Sequence, residues 1–400
     1  MAVIGVVCEY NPFHRGHGLM LEACRAAAGE ESRVICVMSG DFVQRGEAAL
    51  YHKFARAEAA CRCGADLVVE LPLPWAISSA EGFARGAVSL LGALGASHLG
   101  FGSESGRAEE LEELARTLRD PALQGEIRSL QERDPSLSYA AAREAAAAGR
   151  LGEKAALLRN PNDILAVEYR KAALELGLEL RAVPVLRVGA PHDGESPGTG
   201  PCSASRLRER IRAGESTRGE IPEGAELVYR REREAGRELR DPAALEIALL
   251  SRLRMLTKED FEALPDGGEG LGARLYRAVQ EETDTEAILA AAKSKRYALS
   301  RLRRMLLCAA LGVPAGENRR LPPYARVLAA NARGRELLRG LDGNCPLPLL
   351  IKPAQARKLP EDCLRSFELG ARAHDLYVLG LPAPEARRPG ADWRTGPTIL

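Results

Sequence analysis

Four short apolar runs, each followed by a stretch of helical length, constrain this chain more than any other feature. Ala2–Val7, Arg33–Met38, Asp66–Leu71 and Ala96–Phe101 are largely aliphatic and show little polar alternation. Such a run offers no wet face, so it reads as a strand covered on both sides. The segments between them, about Gly18–Ala28, His52–Cys63 and Ser79–Leu94, carry helical character. Strands and helices in that alternation predict βαβ units and a parallel sheet. The charged, Ala-rich stretch Glu109–Lys154 reads as peripheral helices. A helix over Asn162–Leu176 and a strand over Leu178–Arg187 then resume the alternation. After a Gly/Pro/Ser-rich loop, Gly189–Pro201, a helix over Ser203–Arg212 opens on Ser203, a natural N-cap. From about Pro222 the pattern becomes helices joined by Pro and Gly, without clear strands, and Pro382–Leu400 reads as an extended tail. A boundary is therefore expected near residues 214–225. It separates a Rossmann-like α/β unit over residues 1–220 from a mainly α-helical unit over 221–400, and a chain of 400 residues has room for two or three domains.

Charge excludes one class of behaviour. With 56 Lys+Arg against 55 Asp+Glu the net charge is +1, so any nucleic-acid contact must come from a local patch. Only eight of those cations are Lys, a ratio that looks like compositional bias, so Arg abundance by itself carries no functional weight. The nine Cys are odd in number and form no C-x-x-C pair, which fits reduced thiols rather than a disulfide framework or a structural zinc site. The first residues lack a basic segment ahead of the short apolar run, and no stretch reaches the roughly 18 apolar residues of a membrane span. A cytoplasmic protein is expected, without membrane contact.

The chemistry concentrates directly after the first strand, in Tyr10-Asn11-Pro12-Phe13-His14-Arg15-Gly16-His17. A helix that starts here presents unpaired backbone N–H groups and the positive end of its dipole. Gly16 lets the backbone approach an anion closely. His14 and His17 on the same turn can donate to phosphate oxygens, and such bonds strengthen as charge builds during attack at phosphorus. A second junction, Cys202-Ser203-Ala204-Ser205-Arg206-Leu207-Arg208, places Ser203 and Ser205 at a helix start with Arg one turn in, suited to the far phosphates. Ser at that place is equally a plain N-cap. In the second half, Lys293, Lys295, Arg296, Arg301, Arg303 and Arg304 surround Tyr297 within twelve residues free of acid. Cations neutralise phosphates and an aromatic ring stacks on a base, although a solvated basic helix face has the same composition. Blander roles suit four other residues: His98 as a core histidine, His374 on a helix surface, and Trp75 and Tyr51 in packing. Arg45 and Glu47 read either as a loop closing over a nucleotide or as a structural ion pair.

The His-x-Gly-His loop with the Ser-Ala-Ser-x-x-Arg helix start resembles the HIGH-type nucleotidyltransferase superfamily. Taken with Met38–Glu47, Asp66–Pro72, Phe101–Glu104, Pro161–Leu165 and Lys293–Arg304, it is similar to the bacterial tRNA(Met) cytidine acetate ligase family over about residues 2–335. The resemblance implies that ATP activates acetate as acetyl-adenylate and that the acetyl group passes to the exocyclic amine of the wobble cytidine of elongator tRNA(Met), not to DNA. It places ATP on Val7, Cys8, Glu9, Tyr10, Asn11, Pro12, Phe13, His14, Gly16 and His17, and on Gly102, Asn162, Arg187, Ser203 and Ser205. Mg²⁺ is expected with ATP, held by phosphates and water rather than by a dedicated ligand set. Ser39 and Gly40, with nearby backbone amides, are the residues expected to hold acetate. Asp41 and Asp163 stand where the family pattern more often has Asn, and Ser205 where Thr is commoner. Two other readings stay open on the residues alone: a nucleotidyltransferase building a small cofactor, and a non-catalytic RNA-binding protein on the same fold.

Overall fold

The apolar runs form the middle of one sheet. The structure, a computed structural model, describes residues 2–187, 202–268 and 270–400. Its strands in chain order are β1 (Val3–Cys8), β2 (Arg33–Ser39), β3 (Phe42–Val43), β4 (Glu47–Ala48), β5 (Leu67–Leu71), β6 (His98–Ser103), β7 (Arg181–Leu186), β8 (Ala325–Ala330), β9 (Leu349–Leu350) and β10 (Thr398–Ile399). The main sheet runs β10-β8-β5-β2-β1-β6-β7, with β9 on the side of β8, while β3 and β4 form a separate hairpin. The five strands from β5 to β7 are mutually parallel, with Val6 opposite Cys36 on one side and Gly100 on the other. Strand order reverses between β1 and β6. In sheets of this type, ligands bind in the crevice beyond the carboxyl ends of the strands at that point.

The period of two is visible inside the buried strands. On β2 the side chains of Ile35 and Val37 enter one core, with Phe83, Leu90 and Leu114, while Val34, Cys36 and Met38 enter the other, with Leu21, Cys24 and Tyr229. At β6 the first helix, Arg15–Ala28, lies so close that a Cβ on Gly100 would stand 2.4 Å from Cys24 Sγ. Glycine there lets the helix N-terminus sit directly over the reversal point. A third cluster, with Phe261, Leu275, Ile288, Tyr297 and Met305, belongs wholly to the helices of the second half. Helices Ala108–Leu118, Pro121–Arg133 and Tyr139–Leu151 fill the stretch expected to be peripheral. The expected loop Gly189–Pro201 lies outside the described residues.

Two expectations about the second half need correction. It is mainly helical, yet it returns strands to the sheet: β8 pairs antiparallel with β5, and β9 and β10 flank β8. The tail is not simply extended either: it makes two 3₁₀ turns, Pro384–Arg387 and Ala391–Trp393, before ending in β10. Within its half β8 pairs only with the two-residue strands β9 and β10; its longer partner is β5, from the other half of the chain. His374 is the second correction. It is buried on the helix Glu361–Tyr377, and its Nδ1 lies 2.8 Å from Asp41 Oδ2.

Asp41 also accepts the backbone N–H of Lys53 at 2.7 Å, and Lys53 opens a buried quartet of charges. Lys53 Nζ reaches Glu70 at 2.7 Å and Asp392 at 2.6 Å; Arg326 of β8 contacts the same two carboxylates. Burial alone would raise the Asp392 carboxyl, but Lys53 and Arg326 overcome it and hold the group below the usual range. Two cations and two anions thus fasten the C-terminal segment to the sheet. Removing one partner of a buried pair leaves a charge uncompensated, which typically costs about 3–5 kcal/mol. Asp392→Ala is therefore expected to lower unfolding stability by that amount, read from urea denaturation; a loss under about 1 kcal/mol would show that the quartet is not holding the tail.

Candidate active site at the strand reversal

β1 delivers the chain to the reversal point, and the loop after it is held from several sides. Asn11 Oδ1 accepts the Leu50 N–H at 2.8 Å, the Phe13 N–H donates to the Tyr229 hydroxyl at 2.8 Å, and Arg208 Nη1 donates to the Asn11 carbonyl at 2.9 Å. Tyr10 takes φ +47 and the Asn11–Pro12 peptide is cis. Tyr10, Asn11, Pro12 and Phe13 are all buried, so most of this loop is scaffold. Tyr10 packs edge-on against Phe13 and His17 at 4.8 and 4.9 Å between ring centres.

The two histidines cap the first helix reciprocally. His14 Nδ1 accepts the Gly16 N–H at 3.0 Å, and His17 Nδ1 accepts the His14 N–H at 3.2 Å. A ring nitrogen that accepts cannot carry the proton, so in each neutral ring the proton sits on Nε2. The rings stack with centroids 3.7 Å apart. Burial first, then the nearby Arg187 guanidinium, pushes the His14 imidazolium down to about 4. Burial, His14 and Arg187 hold His17 well below its ordinary value. Both rings are therefore neutral hydrogen-bond donors at physiological pH.

They line a cavity of about 610 Å³. Val7, Cys8 and Glu9 from the end of β1, Phe101 and Gly102 from β6, and Arg187 just beyond β7 form its floor. Asn162 and Leu165 from the helix Pro161–Glu175 form one wall, with Tyr169 and Phe83 beside them. Ser203 and Arg208 close the opposite side. The helix Ala204–Arg212 starts as the sequence implies: Ser203 Oγ accepts the Arg206 N–H at 3.3 Å. Ser205, by contrast, accepts from Arg208 Nη2 at 3.4 Å and does not line the cavity. Arg208, the arginine of the Ser-x-x-Arg spacing, lines the cavity and also pairs with Glu47 at 3.4 Å.

Several sequence assignments shift. Ser39 is fully buried at the end of β2, its hydroxyl has no partner among the described residues, and it is absent from the cavity wall. The Gly40 carbonyl is taken by Arg56. Neither residue lines this cavity. Asp163 turns inward, accepting the Ser103 hydroxyl and the Asn160 amide, so its charge does not face the nucleotide wall. Glu104 was not anticipated: its carboxylate takes the Asn162 and Asp163 N–H groups and the Asn162 side-chain amide, the last at 2.6 Å. The acid of the Phe101-Gly102-Ser103-Glu104 run is thus an anchor for the Asn162 helix. His98 lies half-buried at the start of β6 against Ser97 Oγ rather than in the core. Trp75 and Tyr51 are packing residues as expected, Tyr51 stacked on Tyr229 at 4.2 Å.

The basic cluster does not form one face. Tyr297 is buried in the third core, with the Arg301 guanidinium 5.0 Å above its ring, so it offers no free face to a base. Arg304 is drawn inward, and burial lowers its pKa. Arg301 donates to the Asp266 carbonyl. Lys293 and Lys295 are exposed, Arg296 partly so. Arg303 differs from the rest: with Leu299 and Ser300 it lines the cavity itself, and it pairs with Glu47 at 2.8 Å. The hairpin turn before Glu47 packs closely on the helix Leu299–Leu311; a Cβ on Gly46, where φ is +80, would stand 2.7 Å from Arg303 Cβ. Arg45 lines the cavity beside it.

Three comparisons place this geometry among known proteins. The sequence model of the HIGH Nucleotidyl Transferase family matches residues 1–391. A tRNA(Met) cytidine acetate ligase of Syntrophomonas wolfei is 35% identical, covering 99% of both chains, and one of Syntrophotalea carbinolica is 38% identical over 96% of this chain and 95% of that protein. The crystal structure of Thermotoga maritima TmcAL bound with alpha-thio ATP aligns over the whole of both chains with a TM-score of 0.91 at 33% identity, and its apo form with 0.94. The chain belongs to the tRNA(Met) cytidine acetate ligase family of HIGH nucleotidyl transferases.

Proposed function

We propose that this protein is an ATP-dependent ligase of the cytoplasm that joins acetate to the exocyclic amine of the wobble cytidine of elongator tRNA(Met), giving N4-acetylcytidine. One observation carries the reading: two neutral imidazoles with fixed tautomers stand at a helix N-terminus over the reversal point of a parallel sheet. Such a site suits attack at the α-phosphorus of ATP. An acetate oxygen displaces pyrophosphate, and the negative charge that moves onto the leaving group meets Nε2–H donors already in place. Arg187 and Arg208 add fixed positive charge around the same cavity. The mixed anhydride then has a good leaving group, AMP, and the weakly nucleophilic cytidine amine attacks its acyl carbon. The described residues hold no group of three or more His, Cys, Asp or Glu able to bind a metal, so Mg²⁺ entering with ATP would be carried by phosphate oxygens and water.

In this reading residues 1–220 supply the nucleotide chemistry and residues 221–400 the tRNA contacts. Lys293, Lys295 and Arg296 provide the outer phosphate-binding surface, and Arg303 joins it to the cavity. Among the described residues, no helix is long and apolar enough to cross a membrane.

Three measurements test this. Pyrophosphate release from ATP should require acetate, and digestion of tRNA(Met) after the reaction should yield N4-acetylcytidine; release independent of acetate excludes the ligase. His14→Ala should cut acetate-dependent pyrophosphate release about 10²–10³-fold, the usual loss for one preorganised donor. The same change should lower unfolding stability by about 1 kcal/mol through the lost cap. A rate within a few-fold of the parent would remove His14 from the chemistry. Lys295→Ala should weaken tRNA binding and flatten the slope of log K against log salt by about 0.7–1, read by filter binding at several ionic strengths.

A further inference from the structure

Acetylation of an amine releases a proton, and the cavity must hold something to take it. The histidines are unsuited: each Nδ1 lone pair is engaged by a backbone N–H, and each Nε2 carries the proton. Arginines do not accept. Burial keeps the Cys8 thiol and the Tyr169 phenol in their neutral forms. Nearby acids are occupied. Glu104 holds the Asn162 helix, Asp163 holds Ser103, and Glu47 holds Arg208 and Arg303.

Glu9 is different. It is the only carboxylate among the described residues that line the cavity. Its Oε1 is fixed by the Gln44 N–H at 2.8 Å, whereas Oε2 accepts no hydrogen bond from a described residue. A carboxylate in a cavity that otherwise offers His14, His17, Arg45, Arg187 and Arg208 opposes polyphosphate binding, so its presence calls for a chemical role. Burial raises its pKa against the Gln44 bond and the charges of Arg208, Arg56 and Arg45, which makes it a stronger base than an exposed glutamate.

We infer that Glu9 is the general base of the acetyl-transfer step, with Oε2 accepting the proton of the cytidine amine. As the amine nitrogen bonds to the acetyl carbon, the bond from that carbon to the AMP oxygen breaks. AMP leaves with the electron pair, the amine proton passes to Glu9, and Glu9 later returns it to water. The step rests on the ligase reading above, and the test separates the two. Acetate-dependent ATP–pyrophosphate exchange reports the first step; single-turnover formation of N4-acetylcytidine on tRNA(Met) reports the second. Glu9→Gln keeps the acceptor for Gln44 but cannot take a proton. The ratio of transfer to exchange is expected to fall about 10²–10⁴-fold in this variant, and Glu9→Asp should recover part of it. Transfer that survives in Glu9→Gln, or a loss shared equally by both steps, overturns the assignment. If the unmodified protein shows no acetate-dependent exchange, the ligase reading itself fails, and this step with it.

Discussion

The reciprocal cap between His14 and His17 is the interaction on which the site depends. Two N–H groups of the first turn, which any helix must satisfy somewhere, are given to ring nitrogens instead of to water or a hydroxyl. A serine in the same position would cap the helix as well but would put no donor into the cavity. By accepting at Nδ1, each imidazole is forced to carry its proton at Nε2, so one pair of bonds both ends the helix and orients the donors it offers to the cavity. Burial completes the arrangement. Two protonated rings 3.7 Å apart would repel, and Arg187 adds to that penalty, so the neutral forms prevail.

That cap is kept in place by residues distant in sequence. Tyr229 fixes the Phe13 amide, Arg208 fixes the Asn11 carbonyl, and Leu50 fixes the Asn11 side chain. Tyr229 in turn stacks on Tyr51, whose hydroxyl binds Glu238. Behind the β3–β4 hairpin, Asp41 ties the helix that starts at Lys53 to His374 near the C-terminus. The second half of the chain is thus a buttress for the phosphate loop as well as a surface.

The sequence made the centre of the sheet legible because strands with two dry faces leave an unbroken apolar signature. It made the phosphate loop legible because Gly16 and two histidines at a strand-to-helix turn have few other uses. What stayed hidden was whatever depends on distant partners. β8 is a six-residue run whose partners β5, β9 and β10 all lie well away in sequence, and β10 has only two paired residues. Composition ranked Lys293–Arg304 as one basic face, but the run is half loop and half helix, the helix starting only at Leu299. Tyr297, in the loop, falls inside, Arg304 is half-buried, and Arg303 falls on the cavity. Asp41 and Asp163 looked like departures from the family pattern, Asp163 beside the expected nucleotide contact Asn162; both are internal acceptors, one for His374 and one for Ser103. Glu104 and Arg208 sat in runs already noted, yet their roles needed the approach of another element.

The two halves meet at Glu47. Its carboxylate holds Arg303 at 2.8 Å and Arg208 at 3.4 Å, one cation from the basic helix and one from the nucleotide side. These bonds are unequal: a charge-assisted bond is strongest near 2.8 Å and weakens as it lengthens. Arg208 is also the more buried cation, and burial disfavours its charge, so it gains more from a second anion than Arg303 does. Gly46 adds the packing of the hairpin on the helix Leu299–Leu311, so one carboxylate and one glycine join the cavity wall to the second half of the chain.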